Sequence, residues 1–327
     1  QRQMCIRDSS LTFTYEFPGS AARLRLTYHF RYDAYLVDVT GRIEGLEDRG
    51  YAIIAYLGSG LQSNEKNPGE DQGEFAVVTN GQESGVEVLK FGDLSDGEGL
   101  LVPGGPFHWV AVKSKYFLVA AVARESGPMF GGAIAQDQAE EHSVALRTTL
   151  PVPAGSGGFE FSVYMGPQDY GRLNVIGEDL QDVNSYGYRW LQPVSRPLVA
   201  IVMPILVWLH VQLSLAYGWV LILFGVLMRV VLFPLYQKSM RAQIGQMRVQ
   251  PIVQDIRERY KDDPQKMQQE MMRVYKEEGV NPLAGCLPML VPMPILFTLF
   301  FVFQGTIEFR GVPFFWLPDL SLKDPFY

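Results

Sequence analysis

The stretch GWVLILFGVLMRVVLFPLY at residues 218–236 is apolar except for one charged side chain, Arg229. At 1.5 Å per residue, about 19 helical residues come close to spanning the hydrocarbon layer of a bilayer. The stretch therefore predicts a transmembrane helix, with Arg229 inside the membrane on the side of Lys238 and Arg241. A lone arginine at that depth costs roughly 2.5 to 3.5 kcal/mol, which indicates a polar cavity or an ionic partner. The alternative is snorkelling, because Tyr236 lies only about 10 Å away by helical rise.

The chain has two parts of different composition. Residues 1–185 carry a net charge of −11 and residues 186–327 carry +4, which together give the total of −7. The second part holds further apolar runs at 198–216 and 282–307. The first part is long enough to bury a core of its own. We therefore predict a soluble domain followed by a membrane domain.

The first part shows the pattern of β-strands. Apolar and polar residues alternate with a period of two, which places one face of each strand in a dry core. Clusters of Gly, Pro, Asn and Asp separate the strands. The predicted strands lie at 35–40, 51–57, 109–113, 116–123, 144–150 and 159–165. This pattern predicts an antiparallel sandwich that ends in a short helical connector at residues 170–180.

The sequence carries no signature of catalysis. It lacks the motifs G-x-x-x-x-G-K-[ST], G-x-S-x-G, H-E-x-x-H and C-x-x-C. Its two cysteines, Cys5 and Cys286, provide no disulfide framework, and its four histidines are scattered. We therefore expect no catalytic residue, no cofactor and no metal. The acidic balance of the first part also disfavours a nucleic-acid partner.

Residues 237–279 are too polar to lie in lipid and show two helical stripes. One stripe ends at Tyr260 and the other begins at Met267. Asp263 is a good N-cap, and Pro264 is a good first residue for the second helix. The pattern predicts an antiparallel helical hairpin between two membrane spans. A partner-docking role and a purely structural loop are both compatible with it.

The basic residues predict the orientation. Lys238, Arg241 and Arg248 follow the apolar stretch before any acidic residue, so this end is expected to face the cytoplasm. The run at 198–216 leaves two topologies open, because prolines, a histidine and a glutamine interrupt it. An interfacial helix there would place the β domain outside the cytoplasm.

Two stretches closely resemble the YidC/Oxa-type membrane protein insertases: YKDDPQKMQQEMMRVYKEEGVNPLAGCLPML at 260–290 and IEFRGVPFFWLPDLSLKDP at 307–325. The resemblance continues through GWVLILFGVLMRVVLFPL at 218–235, where Arg229 matches the arginine of the family's polar groove. It also covers VYMGPQDYGRL at 163–173, KFGDLSDGE at 90–98 and WVAVKSKYFLVAAV at 109–122. Nearly everything after residue 10 resembles the family.

The resemblance implies a division of the chain into segments. These are an extracytoplasmic β-supersandwich domain at 11–185, a connector and interfacial amphipathic helix at 186–217, a transmembrane helix with the groove arginine at 218–236, a cytoplasmic helical hairpin at 237–279, a transmembrane helix at 280–307 and an extracytoplasmic segment at 308–327. Residues 1–10 resemble neither a signal peptide nor the family, and we expect them to be an artefact or disordered. The chain is expected to be a fragment that lacks the family's first and last membrane helices.

The resemblance also implies a function. It predicts an insertase and chaperone of integral membrane proteins, in the bacterial inner membrane with several spans and the large domain in the periplasm. The implied partners are nascent membrane proteins, the Sec translocon, the ribosome and membrane lipid. Arg229 would attract acidic and polar parts of an incoming segment and lower their desolvation cost. Pro292 stands where family members often carry Gln, which would make the groove less polar.

Two other functions remain open at this point. A membrane-tethered carbohydrate-binding or sugar-modifying protein is one, because supersandwich domains resemble sugar epimerase folds and a fold does not fix a function. It would need a cleft with paired acid and base groups. A structural scaffold associated with the Sec translocon is the other, and it would tolerate a neutral residue at position 229.

Overall fold

The computed structural model describes residues 9–322, apart from 33–34, 46–48, 59–60, 62, 64, 91, 93–98, 125–126, 139–142, 157, 185–190 and 280–291. Only the backbone is described at 137, 138, 143, 238, 239, 241, 242 and 292. The expectations for residues 1–8, Cys5, Cys286 and the start of the run at 280–307 therefore lie outside the described residues. The chain divides into a β unit, residues 1–185 with 305–307, and a helical unit, residues 186–304 with 308–327.

In the described part of the β unit, twelve antiparallel strands form two sheets. One sheet has eight strands in the order β1-β2-β3-β12-β9-β8-β5-β6, and the other has four in the order β4-β11-β10-β7. The strands are β1 (Ser9–Glu16), β2 (Arg23–Phe30), β3 (Leu36–Glu44), β4 (Tyr51–Tyr56), β5 (Ala76–Gly81), β6 (Gly85–Lys90), β7 (Gly99–Val102), β8 (Phe107–Lys113), β9 (Phe117–Ala123), β10 (Gly132–Gln138), β11 (Ser143–Val152) and β12 (Phe159–Pro167), with a short helix α1 (Pro68–Gln72) between β4 and β5.

The predicted sandwich is confirmed, and the alternation explains it. All six predicted strands overlap strands of the two sheets: β3, β4, β8, β9, β11 and β12. The apolar side chains that alternate along the strands meet between the two sheets. Phe107, Phe130, Leu146 and Leu150 are fully buried in this core. Burial of such side chains contributes roughly 1.5 to 3 kcal/mol each, which is enough to hold the two sheets face to face.

The helical connector packs on the outer face of the eight-stranded sheet. It consists of α2 (Tyr170–Ile176) and a 3₁₀ turn (Leu180–Val183). Leu173, Leu180 and Val183 of this connector are buried against Trp109 and other strand residues. The indole Nε1 of Trp109 donates a 2.6 Å hydrogen bond to the carbonyl oxygen of Glu178. The central part of the eight-stranded sheet is thus covered on both faces, with the smaller sheet on one and the connector on the other, whereas β1 is exposed.

The helical unit contains α3 (Gln192–Leu213), α4 (Tyr217–Arg259), α5 (Pro264–Glu277) and α6 (Pro292–Gly305) among its described residues, followed by a 3₁₀ turn (Ile307–Phe309). Two segments are long and apolar enough to cross a membrane, Gln192–Leu213 and Tyr217–Gln237. Only 17% of the second is buried. Because the core helix of a soluble protein would be mostly buried, this exposure fits a helix whose apolar surface faces lipid.

Three features of these helices bear on the sequence analysis. Pro197 and Pro204, expected to interrupt the run at 198–216, lie inside one continuous helix, as prolines in membrane helices can. Asp263 caps α5 as predicted, since its carboxylate accepts from the backbone N of Lys266 at 3.1 Å. Gly279 adopts the left-handed conformation that a helix end requires, with φ of 62°. The division of the continuous α4 into membrane and aqueous parts stays a prediction.

Candidate functional site

Arg229 lies on an exposed apolar face of α4. The side chains one helical turn away on either side, Val226 and Phe233, are both exposed. Gly225, which lies on the same face, has no atom within 4 Å of the position that a Cβ would take. Arg229 is itself exposed and lies about 18 Å along the helix from Tyr217 by helical rise. The guanidinium therefore projects from an open apolar surface near the middle of the candidate span.

No described residue forms an ion pair with Arg229. Arg259 pairs instead with Asp255, and Arg273 pairs with Glu270 and Glu277. The candidate span Tyr217–Gln237 contains no acidic residue. Thr298 of α6 is buried, and its hydroxyl donates a 2.8 Å hydrogen bond to the carbonyl oxygen of Pro294 in the same helix. The side chain of Pro292 lies outside the described residues. Within the described residues, Arg229 is exposed on α4 and no second predicted site residue is brought to it, so its place in a polar groove stays a prediction.

The start of α4 is held by a residue that the sequence analysis left without a role. The ring of His210, near the end of α3, stacks on Tyr217 with centroids 4.0 Å apart. Its Nδ1 lies 2.7 Å from the carbonyl oxygen of Leu215 and donates to it, because a carbonyl only accepts. These contacts span a turn in which Ser214 has φ of 50°. A histidine eight residues before a predicted helix start carries no pattern that reveals this contact.

The β unit contains a buried carboxylate with three partners. Asp38 on β3 lies directly across from Ser162 on β12, and the Ser162 hydroxyl donates to it at 2.8 Å. Arg124 Nη2 lies 2.7 Å from the same oxygen, and Arg31 donates to the other. Burial raises the pKa of Asp38, but the hydrogen bonds and the guanidinium charges outweigh it and hold the pKa below its ordinary value. Asp38 is therefore an ionised structural group and is poorly suited to act as a general acid or base.

A buried lysine joins the sheet to the connector. Lys113 at the end of β8 donates a 2.9 Å hydrogen bond from Nζ to Oδ1 of Asn184. Burial lowers the pKa of Lys113 to about 8. Among the described residues, no group of three or more His, Cys, Asp or Glu could hold a metal ion. Lys113, like Asp38, thus joins elements within the β unit.

Comparison with known families covers almost the whole chain. Residues 4–201 match the sequence model of the YidC periplasmic domain, and residues 208–327 match that of the 60Kd inner membrane protein. The chain belongs to the YidC family. The predicted resemblance is therefore confirmed. The family's inner-membrane description and the two apolar helices indicate a protein of the inner membrane.

Individual relatives of the YidC family agree with this assignment. Proteins named membrane protein insertase YidC are 32% identical over 305 residues in Chlorobium limicola, 33% over 306 in Chlorobium phaeovibrioides and 33% over 322 in Chloroherpeton thalassium. These alignments cover 91%, 91% and 96% of this chain, but 51%, 52% and 52% of the relatives. The chain thus spans about half the length of the relatives that it matches. Their name is that of an insertase rather than of an enzyme.

One solved structure has a weak likeness to this YidC-family chain. It is a galactose mutarotase related enzyme from Lactobacillus acidophilus, 13% identical, with a TM-score of 0.32 over 48% of this chain and 67% of that protein. A likeness this low carries no argument about function. Membership of the YidC family does not favour the carbohydrate alternative.

Proposed function

We propose that the protein inserts and folds integral membrane proteins, and that Arg229 is the residue that binds the polar parts of the incoming segment. The observation that carries the proposal is an exposed guanidinium on a lipid-type helix face, in a chain of the YidC family. An unpaired arginine in the bilayer costs roughly 2.5 to 3.5 kcal/mol. A water-filled groove that receives acidic or polar client groups would offset this cost.

Insertion by this route needs no nucleotide. The free energy comes from transfer of the client's apolar segment into lipid, at about 25 cal/mol per Å² of apolar surface removed from water. The barrier is the passage of the client's polar flank through the hydrocarbon layer. A cation about halfway along the candidate span Tyr217–Gln237 lowers that barrier most for acidic flanks.

The proposal includes an orientation and partners. The basic residues Lys238, Arg241 and Arg248 support a cytoplasmic end for the span and a cytoplasmic hairpin of α4 and α5. The family description supports a periplasmic β unit in a multi-pass protein. The hairpin would contact the ribosome, and the protein would act alone or beside the Sec translocon. Nascent membrane proteins and lipid would be its other partners.

The test uses the full-length protein in liposomes and a client whose translocated tail is acidic. Protease protection of the tail measures insertion. We expect Arg229→Ala to lower insertion roughly tenfold, because a charge-assisted hydrogen bond contributes about 1.5 kcal/mol and 1.4 kcal/mol is a factor of ten. Arg229→Lys keeps the charge and should retain more activity than alanine.

Two controls separate charge from bulk. Val226→Ala removes an exposed side chain one turn away and should leave insertion unchanged. A client with a neutral tail should lose less than the acidic one when Arg229 is replaced. Unchanged insertion of the acidic tail by Arg229→Ala, at equal protein levels, would exclude the proposed role and leave snorkelling or a scaffold role as the explanation.

A further inference from the structure

The segment after α6 forms a tight turn with two large apolar residues at its tip. Phe314 and Leu317 exchange two backbone hydrogen bonds, each with an N···O distance of 2.9 Å. Phe315 and Trp316 are therefore the two central residues of a hairpin turn. Their side chains are 70% and 64% exposed. Most of the surface of both side chains is therefore open to the surroundings.

This turn is unfavourable in water. Two-residue hairpin turns favour Gly, Asn or Asp, because the chain must adopt positive φ there. Phe315 has φ of 53°, a conformation that costs a side chain of this kind roughly 1 to 2 kcal/mol. Leaving a large apolar side chain in water also forgoes roughly 1.5 to 3 kcal/mol of burial energy. Both costs are compensated if the rings contact an apolar medium.

The turn is attached to the first residues of α4. The ring of Phe314 lies directly over Gly218, where a Cβ would come within 2.1 Å of Phe314 Cδ2. Trp219 packs edge-on against Phe314, with centroids 5.7 Å apart, and against Phe315, with centroids 5.8 Å apart. Phe315 in turn stacks beside Trp316 at 6.1 Å. We call the exposed rings of Trp219, Phe315 and Trp316 the aromatic tip.

The aromatic tip is continuous with the surface of the candidate span. The apolar window begins at Tyr217, and the exposed side chains of Ile222, Leu223 and Val226 continue along α4 from Trp219. The basic residues that predict the cytoplasmic side lie beyond the other end of the window. Tryptophan and tyrosine side chains concentrate at the boundary between hydrocarbon and water, because the ring is apolar while its N–H or O–H group remains hydrated. A lipid surface is therefore the occupant that fits.

We propose that the aromatic tip inserts into the bilayer interface and fixes the depth of α4. Arg229 lies ten residues after Trp219, so the tip would hold the guanidinium about 15 Å below the interface. Phe314 connects the aromatic tip to α4, because its ring packs directly on Gly218. A change in the depth of the tip should therefore move the start of the helix. The proposal rests on α4 crossing the membrane and not on the insertion of clients. A failure of client insertion would leave it untouched.

The test measures the depth of Trp316 in the full-length protein, reconstituted in phosphatidylcholine and phosphatidylglycerol liposomes. The emission of Trp316 is the difference between the wild type and Trp316→Phe. We expect this emission to be quenched strongly by lipids brominated near the headgroup and less by lipids brominated at the chain ends. The matched control is Trp109→Phe, because Trp109 is fully buried in the β unit and its emission should not respond to either lipid. Emission of Trp316 that ignores both lipids and is quenched by aqueous iodide would overturn the proposal, as would shielding that depends on a second protein.

A second variant tests the control of depth. Phe315→Gly combined with Trp316→Ser removes both rings and suits the positive φ, so the turn itself should persist. A nitroxide attached at Leu223 reports the depth of α4 by its accessibility to oxygen and to a water-soluble nickel complex. In this variant we expect the nitroxide to lie at a different depth in the bilayer, or to occupy a wider range of depths, than in the wild type. An unchanged depth profile would show that the tip does not position the helix.

Discussion

The two units deal with a charge in apolar surroundings in opposite ways. In the β unit, the carboxylate of Asp38 is buried and compensated by Ser162, Arg124 and Arg31. In the helical unit, Arg229 is exposed on an apolar face, and no described residue pairs with it. A paired charge stabilises its own fold, whereas a charge without a protein partner is left to solvent, lipid or a bound client. The difference indicates that Asp38 is structural and that Arg229 is the residue to test for function.

The largest effect on the free energy of unfolding is expected from Asp38→Ala. The substitution leaves the Ser162 hydroxyl and two guanidinium groups without their acceptor, which should cost roughly 3 kcal/mol of unfolding free energy. Urea unfolding of the chain in detergent micelles, followed by circular dichroism of the β signal, measures it. Glu44→Ala is the matched control, because Glu44 pairs with Arg25 at 3.6 Å on the surface and should cost at most about 1 kcal/mol. Equal losses in the two variants would remove the contrast between the units.

The next effect is a pH dependence that comes from Lys113. Its pKa falls from an ordinary value of 10.5 to about 8 in the folded state. Below about pH 8, Lys113 is protonated in both the folded and the unfolded state, and the folded state bears the full cost of burying the charge. Between about pH 8 and pH 10.5, Lys113 is protonated only in the unfolded state. Stability should therefore rise with pH, by about 2 kcal/mol between pH 8 and pH 10.

Unfolding in urea at several pH values, for the wild type and Lys113→Met, measures this dependence. The rise should be absent in Lys113→Met and present in the control Lys66→Met, which replaces an exposed lysine. A rise of the same size in all three proteins would mean that other groups cause it. Such a result would also weaken the view that the polar groups of the β unit are coupled to its packing.

The smallest effect is expected from Arg229→Ala on the stability of the protein itself. Removal of a cation that has no described partner should leave unfolding in lipid nanodiscs unchanged or raise stability slightly. Val226→Ala serves as the control for lost side-chain volume on the same face. A loss as large as that of Asp38→Ala would mean that Arg229 has a structural partner within the protein. The proposed binding role would then lose its main support.

Sequence patterns predicted the parts of the structure that depend on neighbouring residues. The alternation of apolar and polar residues identified β11 and β12, and the Asp-Pro pair at 263–264 identified the start of α5. Each signal lies within one element, because a strand or a capped helix records its environment in its own spacing. The motifs also identified the family. The role of Arg229 remains a prediction that family membership makes specific.

Other features could not be predicted because they join distant residues. The buried end of Lys113 meets Asn184 across the outer face of the sheet, and Phe314 packs on Gly218 from a different element. Periodicity tells which face of an element is dry but not which element covers it. A tight turn with phenylalanine and tryptophan at its centre also departs from turn chemistry, so sequence rules do not recognise it.

By itself, the sequence determined the class of each part of this protein: a β domain, a polar helical hairpin and an apolar helix with one arginine. Local spacing suffices for this, since hydrophobic period and capping residues act over one or two turns. Only the tertiary structure decided that β12 lies between β3 and β9, that the connector closes the outer face of the sheet, and that the start of α4 carries an aromatic tip. These choices depend on packing between residues far apart in the chain, where shape and volume select one arrangement among many of equal hydrophobicity.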